Sequence, residues 1–230
     1  MSGPRTVLVT GASRGIGRAL VQELAGRGVT VFATGRDEAL LEDLRARTGC
    51  LVGAADLAEP EAVQALYRSA LSALGGVPDA LVNNAGFNTR KAPLLEASLE
   101  DFDAQYRVNL RAPFLLCREA GIGMAERGSG HLVNVVSTTA LFANEAMGVY
   151  SAMKAGLAHL TKILAKELRA RGVKVTAVFP GGVDTEFRAQ ARPDYLRPES
   201  AARLVADLLF APEDAVVHEL VFRPLVESNF

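Results

Sequence analysis

A doubly wound α/β fold, with a parallel sheet of about seven strands and helices on both faces, is predicted by three observations. Short apolar runs alternate with amphipathic helical segments along most of the chain. The apolar runs are near-continuous in Val, Leu and Ala, as in strands buried on both faces. The first of them ends in a glycine-rich turn that opens a helix.

The elements follow in order. Residues 6–10 read as a strand and 15–26 as a helix; 30–34 as a strand and 37–47 as a helix. Residues 51–55 form the third strand, followed by a helix over 59–73. The fourth strand covers 80–83, and one long helix is expected from about 101 to 127. A strand at 131–137, a helix at 149–170, a strand at 174–179, a helix at 198–210 and a strand at 216–222 complete the pattern. Repeats, low-complexity tracts and linker-like stretches are absent from the sequence, so one domain over residues 1–230 is the economical reading.

Composition narrows the function. The chain has 230 residues, 49% hydrophobic and 22% charged, with a net charge of −1, so no polyanionic or nucleic-acid partner is suggested. Cys50 and Cys117 lie in apolar stretches without metal-ligand spacing and read as buried thiols. His131, His159 and His218 are scattered, which argues against a metal centre. No apolar run reaches membrane-spanning length and no leader precedes the first strand, so a cytoplasmic protein without membrane association is expected.

The glycine turn is Gly11-Ala12-Ser13-Arg14-Gly15-Ile16-Gly17. Glycines here let the backbone approach a pyrophosphate, and the helix start offers free N–H groups and a favourable dipole. Two extra residues separate the first two glycines relative to the usual dinucleotide-binding fingerprint. Just past the second strand stands Arg36, where an acidic residue would hold the ribose of NAD. A guanidinium would instead pair with the 2′-phosphate of NADP(H), helped by Ser13 and Arg14; a solvated surface arginine is the plainer alternative. NADP(H) is therefore expected rather than NAD(H). Asp37 follows directly and suits the N-cap of the next helix.

Tyr150 and Lys154 lie four apart in a predicted helix, so their side chains project from one face. A neighbouring cation favours the phenolate, which suits a tyrosine to acid–base work near neutrality. In isolation such a pair is more often an ordinary helix-surface contact.

Together these motifs resemble the short-chain dehydrogenase/reductase family in its compact form, over nearly the whole chain. The resemblance is carried by Thr10–Gly17, Asp56-Leu57, Asn83-Asn84-Ala85-Gly86, Asn109, Asn134-Val135-Val136-Ser137, Tyr150 with Lys154, and Pro180-Gly181-Gly182-Val183-Asp184-Thr185. It implies that Gly11, Ser13, Arg14, Gly15, Ile16, Gly17, Arg36, Asp56, Leu57, Asn83, Tyr150, Lys154, Val183 and Thr185 bind the dinucleotide. It implies a catalytic set of Asn109, Ser137, Tyr150 and Lys154. Tyr150 would pass a proton to the developing alkoxide, and Ser137 would polarise the same oxygen. Ser137 reads equally as a strand-end hydroxyl that ties down the next loop. Pro113 lacks an N–H, which leaves the Asn109 carbonyl without its helical partner. By resemblance a water there continues a proton path to Lys154; a plain proline kink is the alternative.

Three stretches should frame the substrate, residues 87–95, 138–149 and 186–197. Leu141, Phe142 and Met147 suggest a partly apolar pocket, while Arg90, Glu145, Arg188 and Arg192 could meet a polar group or face water. The ending His218-Glu219-Leu220-Val221-Phe222-Arg223-Pro224 looks more like members acting on small hydroxy acids or ketones than like acyl-thioester reductases. The leading expectation is an NADP(H)-dependent oxidoreductase of a small carbonyl or alcohol, assembled as a homodimer or homotetramer. A 3-oxoacyl-thioester reductase and a non-catalytic dinucleotide sensor are the alternatives.

Overall fold

In the computed structural model, which describes residues 3–187 and 190–228, seven parallel strands form one sheet in the order β3-β2-β1-β4-β5-β6-β7. They are β1 (Thr6–Thr10), β2 (Thr30–Gly35), β3 (Leu51–Ala54), β4 (Ala80–Asn83), β5 (Gly130–Val135), β6 (Val173–Pro180) and β7 (Glu219–Phe222). The helices are α1 (Gly15–Gly26), α2 (Glu38–Thr48), α3 (Pro60–Leu74), α4 (Leu99–Tyr106), α5 (Ala112–Arg127), α6 (Gly148–Leu168) and α7 (Pro198–Leu209).

The alternation within each strand splits the core in two. Val7 and Val9 face one side with Leu20, Leu24, Leu41 and Val205, from α1, α2 and α7. Leu8 faces the other with Leu66, Leu116 and Cys117, from α3 and α5. Period-2 side chains that are apolar on both faces demand helices on both faces, and right-handed crossovers supply them.

Strand order reverses between β1 and β4, the point at which α/β sheets open a crevice at their carboxyl ends. Arg27 ties two helices of one face together, pairing with Glu23 of α1 and Asp207 of α7. Asp37 caps α2 as expected, its carboxylate accepting from Leu40 N at 3.1 Å.

One expected element is divided. The long helix anticipated over 101–127 is broken by a π-helical turn at Arg107–Arg111, in which Ala112 N donates to Arg107 O. Pro113 follows at once, in the first turn of α5. A proline cannot donate to the carbonyl four residues back, and the wider turn accommodates that loss. The last strand is also shorter than expected, beginning at Glu219 rather than 216.

Candidate active site

The glycine turn hangs from the end of β1. Gly11 and Gly15 adopt φ of 65° and 52°, which only glycine takes without strain. A side chain at Gly17 would fall 2.3 Å from the Gly11 carbonyl oxygen and 2.4 Å from Asn84 Nδ2. Asn84 fixes the turn by donating to the Thr10 and Gly11 carbonyls at 3.0 and 3.1 Å. Among the described residues, no side chain caps the start of α1. This positive, glycine-cleared helix end fits the pyrophosphate of a dinucleotide. Ile16 and Gly17 belong to that first turn.

The residues expected at the ribose end lie at the end of β2 and just beyond it. Ser13 Oγ lies 2.5 Å from where a side chain at Gly35 would begin, so the glycine turn packs closely on the end of β2. Arg14 pairs with Asp37 at 2.9 Å. Arg36 is exposed and makes no hydrogen bond or ion pair among the described residues. Past β3, Asp56 closes its own loop by accepting from Ala58 N at 2.9 Å, beside the buried Leu57.

Asn83 lies elsewhere than the glycine turn. It ends β4 with its amide buried, donating to Asn134 Oδ1 at 2.9 Å and to Cys117 Sγ at 3.2 Å. Its neighbour Asn84 touches the turn instead. Burial pushes the Cys117 thiol up to about 12, so it is an unreactive member of this cluster.

Asn109 sits fully buried in the π turn. Its amide clasps the backbone of Phe87 in both directions, accepting from N at 3.1 Å and donating to O at 2.8 Å. This anchors the loop after β4. Gly86, just before it, leaves room for the same cluster: a side chain there would meet Asn109 Oδ1 at 2.8 Å and Lys154 Nζ at 3.1 Å.

Lys154 is 2% exposed. Its ammonium donates to Val135 O at 2.8 Å and lies 5.8 Å from the centre of the Tyr150 ring. Burial alone lowers its pKa to about 8. Tyr150, in the first turn of α6, is 7% exposed. Ser137, two residues past β5, accepts from Thr139 N at 3.2 Å and from Thr139 Oγ1 at 3.1 Å, so it does tie down its loop.

The loop after β6 covers this group. Val183 bridges Leu196, Thr185 packs against Gly15, and the Phe187 ring lies 5.7 Å from that of Tyr150 at an angle of 57°. Phe187 falls in the stretch expected to frame the substrate, but nothing in the sequence singled it out. Arg90 and Arg192 are already paired, with Asp101 and Asp194, each at 3.0 Å. Arg188 lies outside the described residues. Ala146 takes φ of 60°, a strained value for a non-glycine residue, and its carbonyl accepts from Ala92 N at 3.1 Å. That contact joins the loops after β4 and β5.

A cleft of about 550 Å³ opens between α1, the loop after β6 and the start of α7, lined by Gly15, Arg18, Thr185 and Pro198 among others. It does not include Tyr150 or Lys154. The recess that Tyr150 does line, with Asn88, Gln105 and Met147, holds only about 10 Å³. The chemistry of the side chains, rather than cleft size, therefore locates the site. The described helices include none long and apolar enough to cross a membrane.

Known proteins are similar to this chain in sequence and fold. Residues 5–196 match the model of the short chain dehydrogenase family. A short-chain type dehydrogenase/reductase of Sinorhizobium fredii, itself uncharacterised, is 34% identical over 229 residues, covering 94% of this chain and 90% of that one. The D-threitol dehydrogenase of Mycolicibacterium smegmatis is 35% identical over 223 residues, covering 95% and 85%. Among solved structures, the closed form of a serine dehydrogenase complexed with NADP+ superposes with a TM-score of 0.90 at 28% identity, covering 97% and 96% of the two chains. The match of the family model over most of the chain, on a seven-stranded parallel sheet with the glycine turn after β1 and the Tyr150–Lys154 pair in α6, establishes that this protein belongs to the short-chain dehydrogenase/reductase family.

Proposed function

We propose that this protein is an NADP(H)-dependent oxidoreductase of a small hydroxylated or carbonyl compound, with Tyr150 as its general acid and base. The observation that carries the proposal is Lys154. A lysine only 2% exposed, donating to the Val135 carbonyl, is costly, and such groups are kept where they act.

The dinucleotide would rest on Gly11 to Gly17, with Arg36 and Ser13 at its 2′-phosphate, Asp56 and Leu57 toward the adenine, and Val183 and Thr185 at the other end. The nicotinamide, when bound, supplies or accepts the hydride. Tyr150 delivers its proton to the substrate oxygen in reduction and takes it back in oxidation. Ser137, whose oxygen accepts from Thr139, donates its own hydroxyl proton to the same substrate oxygen. Lys154, beside the phenol ring, favours the phenolate and replaces the lost proton. Asn109 holds the loop at Phe87 that borders this group, and Gly86 leaves room for the ends of both Asn109 and Lys154.

The substrate reading rests on the similarity to enzymes named for serine and D-threitol, both small molecules that carry an alcohol group. The ion-paired Arg90 and Arg192 suit a neutral or weakly charged substrate more than a large anionic thioester. Assembly as a homo-oligomer is part of the proposal, since Phe114 and Ile122 on α5 and Ile163 on α6 are exposed. Nicotinamide absorbance, followed with NADPH and NADH over a panel of small ketones, hydroxy acids and polyols, tests the function. Turnover of none of them would overturn it.

A further inference from the structure

The chain leaves β7 at Phe222 and turns back over the carboxyl end of β6. Gly181 N donates to Phe222 O at 2.8 Å. Four residues after Arg223 comes Glu227, whose carboxylate is split between two partners. One oxygen accepts from Gly182 N at 2.9 Å, and the other accepts from Arg223 Nε at 3.0 Å. Both side chains are largely buried, 8% exposed for Arg223 and 17% for Glu227. The Arg223 guanidinium also lies 5.3 Å from the centre of the Phe142 ring, in the loop after β5.

The two glycines are shaped to this carboxylate. A side chain at Gly181 would begin 2.5 Å from Glu227 Oε2. One at Gly182 would begin 2.9 Å from Oε1 and 2.3 Å from the Tyr195 ring. Neither φ is in the left-handed region, so space and not backbone conformation calls for glycine here.

Gly182 is the root of the loop that reaches the site. Its carbonyl accepts from Leu196 N at 3.1 Å, and Asp184 N donates to Leu196 O at 2.8 Å. Thr185 then meets Gly15 of the glycine turn, and Phe187 meets Tyr150. A solvent-exposed ion pair would contribute little. A buried carboxylate that accepts a backbone N–H makes a charge-assisted bond, and its removal leaves that N–H without an acceptor.

We propose that Glu227, oriented by Arg223, is a positioning residue: it fixes Gly182 and so sets where Thr185 meets the glycine turn and Phe187 meets Tyr150. Its effect on cofactor affinity rests on the dinucleotide reading of the site; its effect on the loop does not. The sequence gives no local sign of it, because the pairing runs across 45 residues of chain.

The test compares the wild type with Glu227→Ala and Glu227→Gln by three measurements. Amide hydrogen exchange is followed peptide by peptide, NADPH is titrated by fluorescence, and the melting temperature is recorded. Exchange is expected to speed up over residues 181–187 in both variants while peptides from α2 and α3 stay protected. NADPH dissociation constants should rise about tenfold for Ala and less for Gln, whose amide oxygen still serves one of the two donors. Wild-type exchange over 181–187 in both variants would overturn the proposal. So would faster exchange spread evenly over the sheet with a lowered melting temperature, since that marks general destabilisation. If Glu227→Ala does not fold, Glu227→Gln decides. A wild type that does not bind NADPH would remove the dinucleotide reading alone, and exchange over 181–187 would still decide the role of Glu227.

Discussion

Arg14 and Asp37 form an ion pair 2.9 Å long across the mouth of the glycine turn. Asp37 also caps α2, and the Leu40 N–H, then the Arg14 guanidinium, hold its carboxyl below the usual range. On the NADP(H) reading proposed above, the pair offsets the Asp37 charge beside the 2′-phosphate, and Arg36 has no ion-pair partner among the described residues. Arg36→Asp is expected to lower the ratio of kcat/KM for NADPH to that for NADH by about 100-fold or more. Arg14→Ala, which releases Asp37, should lower the same ratio by a smaller factor. Steady-state kinetics with both nucleotides check both expectations.

Lys154 sets function against stability. Its folded-state pKa of about 8 lies below the ordinary 10.5, because burial penalises the ammonium. The folded chain therefore carries a penalty that is full below pH 8 and fades as pH rises toward 10.5. Lys154→Met removes that penalty and loses the bond to Val135 O, a net gain of about 2 kcal/mol at pH 7. The variant should melt about 4–8 °C higher at pH 7, with the gain shrinking in alkaline buffer, while turnover collapses. Calorimetry at pH 7 and pH 10 checks this.

His131 makes the fold sensitive to acid. Its Nε2 lies 2.8 Å from Thr176 Oγ1, and the Thr176 hydroxyl donates to Val217 O. The imidazole must therefore be the donor at Nε2. Burial, with a smaller push from the Lys174 charge, lowers its pKa from 6.5 to about 4. Its contribution is present above pH 6.5 and is lost as pH falls through 4, about 3 kcal/mol in all. Urea melts at pH 7 and pH 4.5 should show a smaller difference for His131→Gln than for the wild type.

The exposed Phe114, Ile122 and Ile163 bear on assembly. A dimer or tetramer is expected by light scattering at micromolar concentration, because an apolar set of this kind gains by two-fold pairing. Ile163→Glu should shift the population toward monomer.

Much of this was legible before any coordinates. The Val-rich runs and the glycine turn carry strong, local signals, so β1, α1 and β4 fall where periodicity places them. The Asp37 cap was legible for the same reason. The π turn at Arg107–Arg111 was not, since Pro113 announces a lost hydrogen bond but not how the helix absorbs it. Asn83 and Asn84 are adjacent in one motif, yet strand alternation sends Asn83 into the core and leaves Asn84 to hold Gly11. The contacts of Phe187 with Tyr150 and of Glu227 with Gly182 depend on loops folding back over long stretches of chain, which no short-range pattern encodes.

Tyr150→Phe tests the central claim most directly, because it removes one hydroxyl and keeps the ring that packs on Phe187. With a substrate found in the carbonyl and polyol panel, kcat of the variant should fall by at least ~100-fold while NADPH binding, read by fluorescence titration, stays within about twofold of wild type. Wild-type turnover in Tyr150→Phe would contradict the account.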